Sequence, residues 1–277
     1  MRFTEVADRV YVLRYPLLDV NSTLVVGDGE ALLIDTLATG RQAAELAEAA
    51  RRITSFPWAV VNTHHHFDHC FGNGTVADIA RPVWAHEAAA ALLAHEAERM
   101  RREYADRWSR TDPTHVEDLL KVVVMPPTDT FAREIALDLG GRPVMLRHLG
   151  RGHTAGDVIV QVPDAGVVIA GDLVEESGPP SFGDDSYPLH WPATLAGLLR
   201  LEPLDVIVPG HGALVDVGFV KGQHAELTAL EWTIRQGHRD GAEVTAVAAR
   251  APFGGEAART AVRRGYAELD GYADRAL

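Results

Sequence analysis

The chain has 277 residues, 47% of them hydrophobic and 23% charged, the length and composition of a globular protein with a sizeable core. With 26 Lys plus Arg against 39 Asp plus Glu, its formal net charge of −13 argues against a nucleic-acid backbone or an anionic membrane surface as a partner. One cysteine excludes an internal disulfide framework, no run is long and apolar enough to span a bilayer, and the first residues lack the apolar stretch of a signal peptide, so a cytoplasmic protein is expected.

Val10-Tyr11-Val12-Leu13 reads as a first strand and Ser22-Thr23-Leu24-Val25-Val26 as the next. The turn signal Gly27-Asp28-Gly29-Glu30 leads back into Ala31-Leu32-Leu33-Ile34-Asp35. Apolar residues at Ala43, Leu46, Ala47, Ala50 and Ile53 predict a helix from about Gly40 to Ile53, stopped by Pro57. Ala59-Val60-Val61 is a buried strand that runs directly into Asn62-Thr63-His64-His65-His66-Phe67-Asp68-His69, and Pro82 to His86 forms a short strand beyond it. Glu87 to about Trp108 has helix-forming composition, Thr111-Asp112-Pro113 breaks the helix, and a shorter piece follows over His115 to Lys121. The result is a helical insertion, about 87–121, able to cover part of a site.

Strands return at Ala136 to Leu139 and Val144 to His148, and Asp157–Val162 pairs with Val167–Ala170 in a hairpin across Pro163-Asp164-Ala165-Gly166. A helix over Pro192 to Leu201, a buried strand Val206-Ile207-Val208 and C-terminal helices over about 219–275 complete the chain. No linker or repeat interrupts it, so one domain spanning 1–277 is expected. Strands followed by helices, with mostly antiparallel signals, predict two sheets between helical layers.

A lone histidine is usually a packed or surface residue, but His64, His66, Asp68 and His69 fall within six positions. His64 and His66 can point the same way from extended backbone, and Asp68 and His69 can turn toward a second point nearby. Imidazole and carboxylate suit zinc, and two neighbouring sites suit two-metal hydrolysis. Three later segments end an apolar run in Gly beside a possible ligand: Gly152-His153, Gly171-Asp172 and Gly210-His211. Glycine permits the close turns that would bring them to one sheet edge. His65 is expected to point away from the metals, and Cys70 reads as buried packing. His95, His115 and His238 read as solvated bystanders.

His64-x-His66-x-Asp68-His69 matches the HxHxDH motif of the metallo-β-lactamase superfamily, and His153, Asp172 and His211 match its later ligands in type and order. The chain resembles that superfamily from about Val10 through His211. The resemblance implies an α+β fold, an αββα sandwich of two mixed β-sheets flanked by helices, with two metals at the sheet edge. It assigns His64, His66 and His153 to the first metal, Asp68, His69 and His211 to the second, and Asp172 to both. Two Zn2+ ions are the implied cofactor, and the same ligands also suit iron or manganese.

Such a site hydrolyses a small ester, thioester, lactone or lactam, with Asp68 orienting the attacking hydroxide as the catalytic carboxylate. The carboxylate at Asp172 looks more like the glyoxalase II, lactonase and phosphodiesterase branches, since lactam-hydrolysing members commonly lack one there. The alternatives are a mononuclear-iron persulfide dioxygenase-like oxidoreductase and a non-catalytic, metal-stabilised binding protein. The segment from Glu175 to Trp191 offers Phe182, Tyr187, His190 and Trp191 as substrate contacts. Its acids, Glu175, Glu176, Asp184 and Asp185, favour a neutral or cationic small-molecule substrate. No nucleic-acid or membrane partner is expected, and the sequence leaves the oligomeric state open.

Overall fold

The computed structural model describes residues 1–76, 80–109 and 112–272. The helix break read at Thr111 and the end of the C-terminal helical region, 273–275, lie outside them. In chain order the elements are β1 (Thr4–Ala7), β2 (Val10–Tyr15), β3 (Val20–Val26), β4 (Ala31–Ile34), α1 (Gly40–Arg51), β5 (Trp58–Val61), α2 (Phe67–Cys70), α3 (Asn73–Val76) and β6 (Ala80–His86). Then come α4 (Glu87–Trp108), α5 (Pro113–Leu120), β7 (Asp129–Phe131), β8 (Glu134–Asp138), β9 (Pro143–Arg147), β10 (Ile159–Val162) and β11 (Val167–Glu175). The last are α6 (Trp191–Leu198), β12 (Val206–His211), α7 (Val217–Arg239), α8 (Val244–Ala248) and α9 (Gly255–Leu269).

The strands form two sheets, β7-β6-β5-β4-β3-β2-β1 and β12-β11-β10-β9-β8, joined where His211 pairs with Val20. Alternation along the strands builds the layers, because successive side chains point to opposite faces. In the first sheet Leu33 and Val60 pack outward with Ala43, Leu46 and Ala50 of α1. Leu32, Ile34 and Val61 point inward against Val144, Leu146, Val160, Ile169 and Val208 of the second sheet. The outer face of that sheet, with Ile159, Val168 and Ile207, packs on Leu195, Leu227, Leu230 and Val262 of the C-terminal helices. The order is therefore helix, sheet, sheet, helix, the αββα sandwich expected. A separate cluster of Phe67, Phe71, Leu93, Met100 and Leu119 seats α4 and α5 above α2.

Helix starts are locally encoded: the side chains of Thr39, Asp112 and Asp216 accept from the backbone N–H of Gln42, His115 and Phe219. The predicted hairpin at Pro163–Ala165 is present between antiparallel β10 and β11. The expectation of mostly antiparallel pairing holds for seven strand pairs among the described residues, with four exceptions. β4–β5, β5–β6, β6–β7 and β11–β12 all pair in parallel. Helical crossovers such as α1 allow this, and a fully buried strand has the same apolar run in either orientation. β1, β7 and α8 are additional short elements that the apolar pattern does not announce.

Arg142, in the β8–β9 turn, ties the sheets together. It is 3% exposed, and it donates to Val26 O at 2.9 Å and Asp8 O at 2.8 Å on the first sheet's side. Its Nε lies 3.0 Å from Asp164 Oδ2. Arg142→Ala leaves both carbonyls without their donor and should cost about 2–4 kcal/mol in urea unfolding, whereas a loss below about 0.5 kcal/mol would exclude a clamping role.

Candidate metal centre

The first group of candidate ligands grows from the end of β5. Asn62 Nδ2 donates to His69 O and to Asn73 Oδ1, and Thr36 Oγ1 donates to the same His69 carbonyl, which pins the turn into α2. His64 comes from this turn, His66 caps α2 in extended backbone, and Asp68 and His69 lie in its single turn. His153 comes from the loop after β9, Asp172 from within β11, and His211 ends β12. Asn21 Nδ2 donates to Pro209 O and Gly212 O, both at 3.0 Å, and so grips the chain on either side of His211.

These positions converge. The rings of His64, His66 and His153 form a near-equilateral triangle, with centroid separations of 4.7, 4.8 and 4.6 Å. His66 Nδ1 lies 2.8 Å from His153 Nε2. Beside this triangle His69 Nε2 is 3.2 Å from His211 Nε2, and Asp68 Oδ2 is 3.4 Å from His211 Nε2 and 3.8 Å from His69 Nε2. Asp172 lies between the two groups. Its Oδ2 is 3.4 Å from His153 Nε2, 3.7 Å from His64 Nε2 and 3.4 Å from His211 Nε2. Its Oδ1 is 3.1 Å from His69 Nε2, an ion-pair distance without the alignment of a hydrogen bond.

The opposite nitrogen of each ring is held by an acceptor. His153 Nδ1 faces Ser181 O at 2.9 Å, His211 Nδ1 faces Leu18 O at 2.7 Å, and His69 Nδ1 faces Asp35 Oδ2 at 2.8 Å. Thr63 Oγ1 donates to Asp35 Oδ2, so it accepts from His64 Nδ1 at 3.1 Å. His66 Nε2 lies 3.0 Å from Asp185 Oδ2. Since acceptors take up the outer N–H groups, the inner nitrogens face the centre and, in the neutral rings, turn lone pairs toward it. His64 Nε2 is buried there with no hydrogen-bond partner among the described residues. Five inward imidazole nitrogens with Asp68 and Asp172 form a nitrogen and oxygen donor set that fits zinc, iron or manganese.

Asp35, a partner of the candidate ligand His69, is the residue that sequence reading passed over. It is buried, takes φ 62°, and accepts from Thr63 N and Oγ1 as well as facing His69. A non-glycine residue at positive φ costs of order 1–3 kcal/mol and persists where surroundings over-determine it. The available signal was an acid closing a continuous apolar run, the same form as the other ligand-bearing segments.

The sequence-based substrate contacts fare unevenly. A cavity of about 960 Å³ opens on the centre, lined by His66, Asp68, Asp172 and His211, and by Phe182 on one wall. Tyr187, His190 and Trp191 do not line it. Trp191 is buried behind His153, donating Nε1 to Leu173 O, because the chain turns into α6 at that point. Tyr187 is buried against the guanidinium groups of Arg151 and Arg264. His190 is exposed near Glu268 on the C-terminal side. The opposite wall comes from α4, whose Met100, Tyr104, Arg107 and Trp108 follow one helical face.

The acids of this segment also differ from expectation. Glu175 is buried and accepts from Ser177, Glu176 accepts from Ala213 N, and Asp185 is held by imidazoles. Of these acids only Asp184 stays exposed on the wall, and the mouth also carries Glu103 with Arg99, Arg107 and Arg263. The mouth is therefore of mixed charge, and three of the four acids of this segment are taken up by protein partners. His115, read as solvated, is buried beside Trp108, so its replacement is a packing change. Cys70 is buried, its Sγ donates to His65 O and His66 O, and burial pushes its thiol well up, as suits a packing residue.

Charge divides the two groups except at His66, where burial lowers the imidazole but Asp185, Asp172 and Asp68 outweigh it and raise it above the ordinary range. Burial holds His64 well below the ordinary imidazole range and His153 down to about 4, so both are neutral. Burial also opposes protonation of His69 and His211, but Asp172 and Asp68 outweigh it, raising His69 well above that range and His211 to about 10. A cation entering the second group must therefore displace protons that would otherwise stay bound through neutral pH. Zinc titrated into the chelator-stripped chain should release protons, and the second-group affinity should rise about tenfold per pH unit for each proton displaced. The first-group step should vary less steeply. Calorimetry in buffers of different ionisation enthalpy measures this, and pH-independent binding at both steps would contradict it.

No helix among the described residues is long and apolar enough to cross a membrane. The type 2 metallo-beta-lactamase of Bacteroides fragilis is 29% identical over 99 residues, covering 34% of this chain and 40% of that protein. The corresponding enzyme of Bacillus sp. (strain 170) is 29% identical over 87 residues, covering 30% and 34%. The aligned part thus spans well under half the length of either relative. Among solved structures, a metallo-beta-lactamase from Pontibacter korlensis superposes with a TM-score of 0.66 at 22% identity, covering 82% of this chain and 98% of that one. DIM-1 metallo-beta-lactamase gives 0.65 at 19% identity, covering 82% and 96%. These structures share the fold. The family model described as the metallo-beta-lactamase superfamily matches residues 15–211, and the chain belongs to that superfamily.

Proposed function

We propose that this protein is a dinuclear metallohydrolase acting on a small ester, thioester, lactone or lactam. The observation that carries the reading is the Asp172 carboxylate between two groups of inward-facing ligands. His64, His66 and His153 would hold one metal, Asp68, His69 and His211 the other, and Asp172 would contact both. Bound metal supplies Lewis acidity toward the substrate oxygen and a water nucleophile at neutral pH. Asp68 stands on the cavity wall, where its carboxylate would orient the attacking hydroxide as well as bind metal. Tyr104 stacks on Phe67 at 4.1 Å and, with Met100 and Trp108, keeps that wall apolar for an acyl or ring group.

Zinc is the favoured metal. The acid at Asp172 favours ester, thioester or lactone hydrolysis, and the names of the curated relatives favour lactam hydrolysis as the second reading. A panel of a p-nitrophenyl ester, a lactone, a glutathione thioester and a chromogenic lactam, run with elemental analysis, decides between them. About two zinc ions per chain with turnover on the panel supports the proposal, while one iron per chain with oxygen uptake on a persulfide points to dioxygenase chemistry. Asp172→Ala should lower metal content and reduce kcat/KM by about 10²-fold or more, because the shared carboxylate offsets two neighbouring cations. Full activity and unchanged metal in that variant would overturn the shared-ligand assignment.

Arg107 refines the substrate reading. Its guanidinium carbon lies 5.6 Å from the Tyr104 ring centroid, and it has no carboxylate partner among the described residues. We expect Arg107→Ala to raise KM about 3- to 30-fold for substrates carrying a carboxylate and to leave neutral analogues nearly unchanged, the range of one charge-assisted contact. Equal effects on both substrate types would remove Arg107 from substrate binding.

A further inference from the structure

The turn 181–185 walls the cavity and also holds two of the three imidazoles of the first group. Ser181 O accepts from His153 Nδ1 at 2.9 Å, and Asp185 Oδ2 lies 3.0 Å from His66 Nε2. The same Asp185 oxygen is 2.9 Å from Nε2 of His65, the residue between His64 and His66. His65 is buried, and its Nδ1 has no hydrogen-bond partner among the described residues, so its one polar contact goes to Asp185. The Asp185 side chain is 16% exposed.

An ionised carboxylate only accepts, so a neutral imidazole facing it must carry its proton on the facing nitrogen. For His66 that nitrogen is Nε2, which leaves the lone pair on Nδ1. Nδ1 is also the nitrogen 2.8 Å from His153 Nε2, at the first-group centre. The reverse tautomer would aim a proton into the metal position and set two lone pairs, on Nε2 and Asp185, against each other.

We propose that Asp185, held by His65, is the positioning residue for His66: it fixes the Nε2–H tautomer and the ring orientation, so that Nδ1 faces the first metal. The proposal rests on the reading of His66 as a ligand. It gives a role to His65, whose Nε2 faces Asp185 rather than the seven inward ligands. It also makes the first metal position dependent on the cavity-wall turn, which orients His153 through Ser181 as well.

The test uses the full-length, zinc-loaded chain with nitrogen-labelled histidine. In the wild type, His66 should show its bonded proton at Nε2 by long-range nitrogen–proton correlation. Chelator competition should find first-site zinc affinity reduced about 10- to 100-fold in Asp185→Ala, with the second site unchanged, the usual scale for removing an outer partner of a ligating histidine. Asp185→Asn keeps an acceptor oxygen and should recover most of the loss. His65→Gln keeps an N–H near the Nε2 position and should bind more tightly than His65→Leu. Should Asp185→Ala fail to fold, the His65 pair carries the test, and equal affinities in His65→Gln and His65→Leu would overturn the proposal. Wild-type affinity in folded Asp185→Ala, or a His66 proton at Nδ1, overturns it alone. A wild-type chain that holds no metal through His66 overturns this proposal and the hydrolase reading together.

Discussion

A buried carboxylate surrounded by imidazoles is the constraint on which the rest of this structure depends. Asp172 sits within β11, 5% exposed, and burial opposes its charge, which His69 and His211 chiefly maintain. To place it there, β12 must set Gly210 against the Asp172 side chain. A side chain at Gly210 would put its Cβ 1.8 Å from Asp172 Oδ1, so glycine is required at that point. The parallel pairing of β11 with β12 loses regular register between Gly171 and Glu175, and this irregularity carries Asp172 and His211 to the same edge. The link from His211 to Val20 then joins that edge to the first sheet.

The remaining ligand candidates are fixed from outside in. Each outer ring nitrogen meets an acceptor on a different element: Leu18 before β3, Asp35 after β4, Thr63 after β5, and the 181–185 turn. Leu18, Asp19 and Asp35 all take positive φ, so backbone strain is concentrated where carbonyl or carboxylate groups must reach an imidazole. Stability and site geometry are coupled for this reason, since the sandwich that buries the valines and leucines between the sheets also sets the separation of the two ligand groups.

The residues that converge on the centre were legible in the sequence because each closes a local apolar run, and a run ending in Gly-His or Gly-Asp marks a strand delivering a polar group to an edge. His64, His66, Asp68, His69, His153, Asp172 and His211 all come together as that pattern implies. The partners of those residues were not legible. Asp35 and His69 meet across 34 positions and Asp185 and His66 across 119, and no periodicity records such pairings. Aromatic loop residues misled for a related reason. Phe182 and Trp191 look equivalent in the sequence, yet one faces the cavity while the other is buried behind His153, a difference set by where the chain turns into α6. Strand direction was obscured because Val and Ile runs buried on both faces read alike in parallel and antiparallel sheets.

The central claim is that one carboxylate, Asp172, is shared by two metal positions. Anomalous X-ray scattering from crystals of the zinc-loaded chain, collected on both sides of the zinc absorption edge, tests it most directly. The account predicts two zinc peaks about 3.5–4 Å apart, one beside His64, His66 and His153 and the other beside Asp68, His69 and His211, with an Asp172 oxygen at each. A single peak at full zinc loading, or two peaks of which either lies away from Asp172, would contradict it.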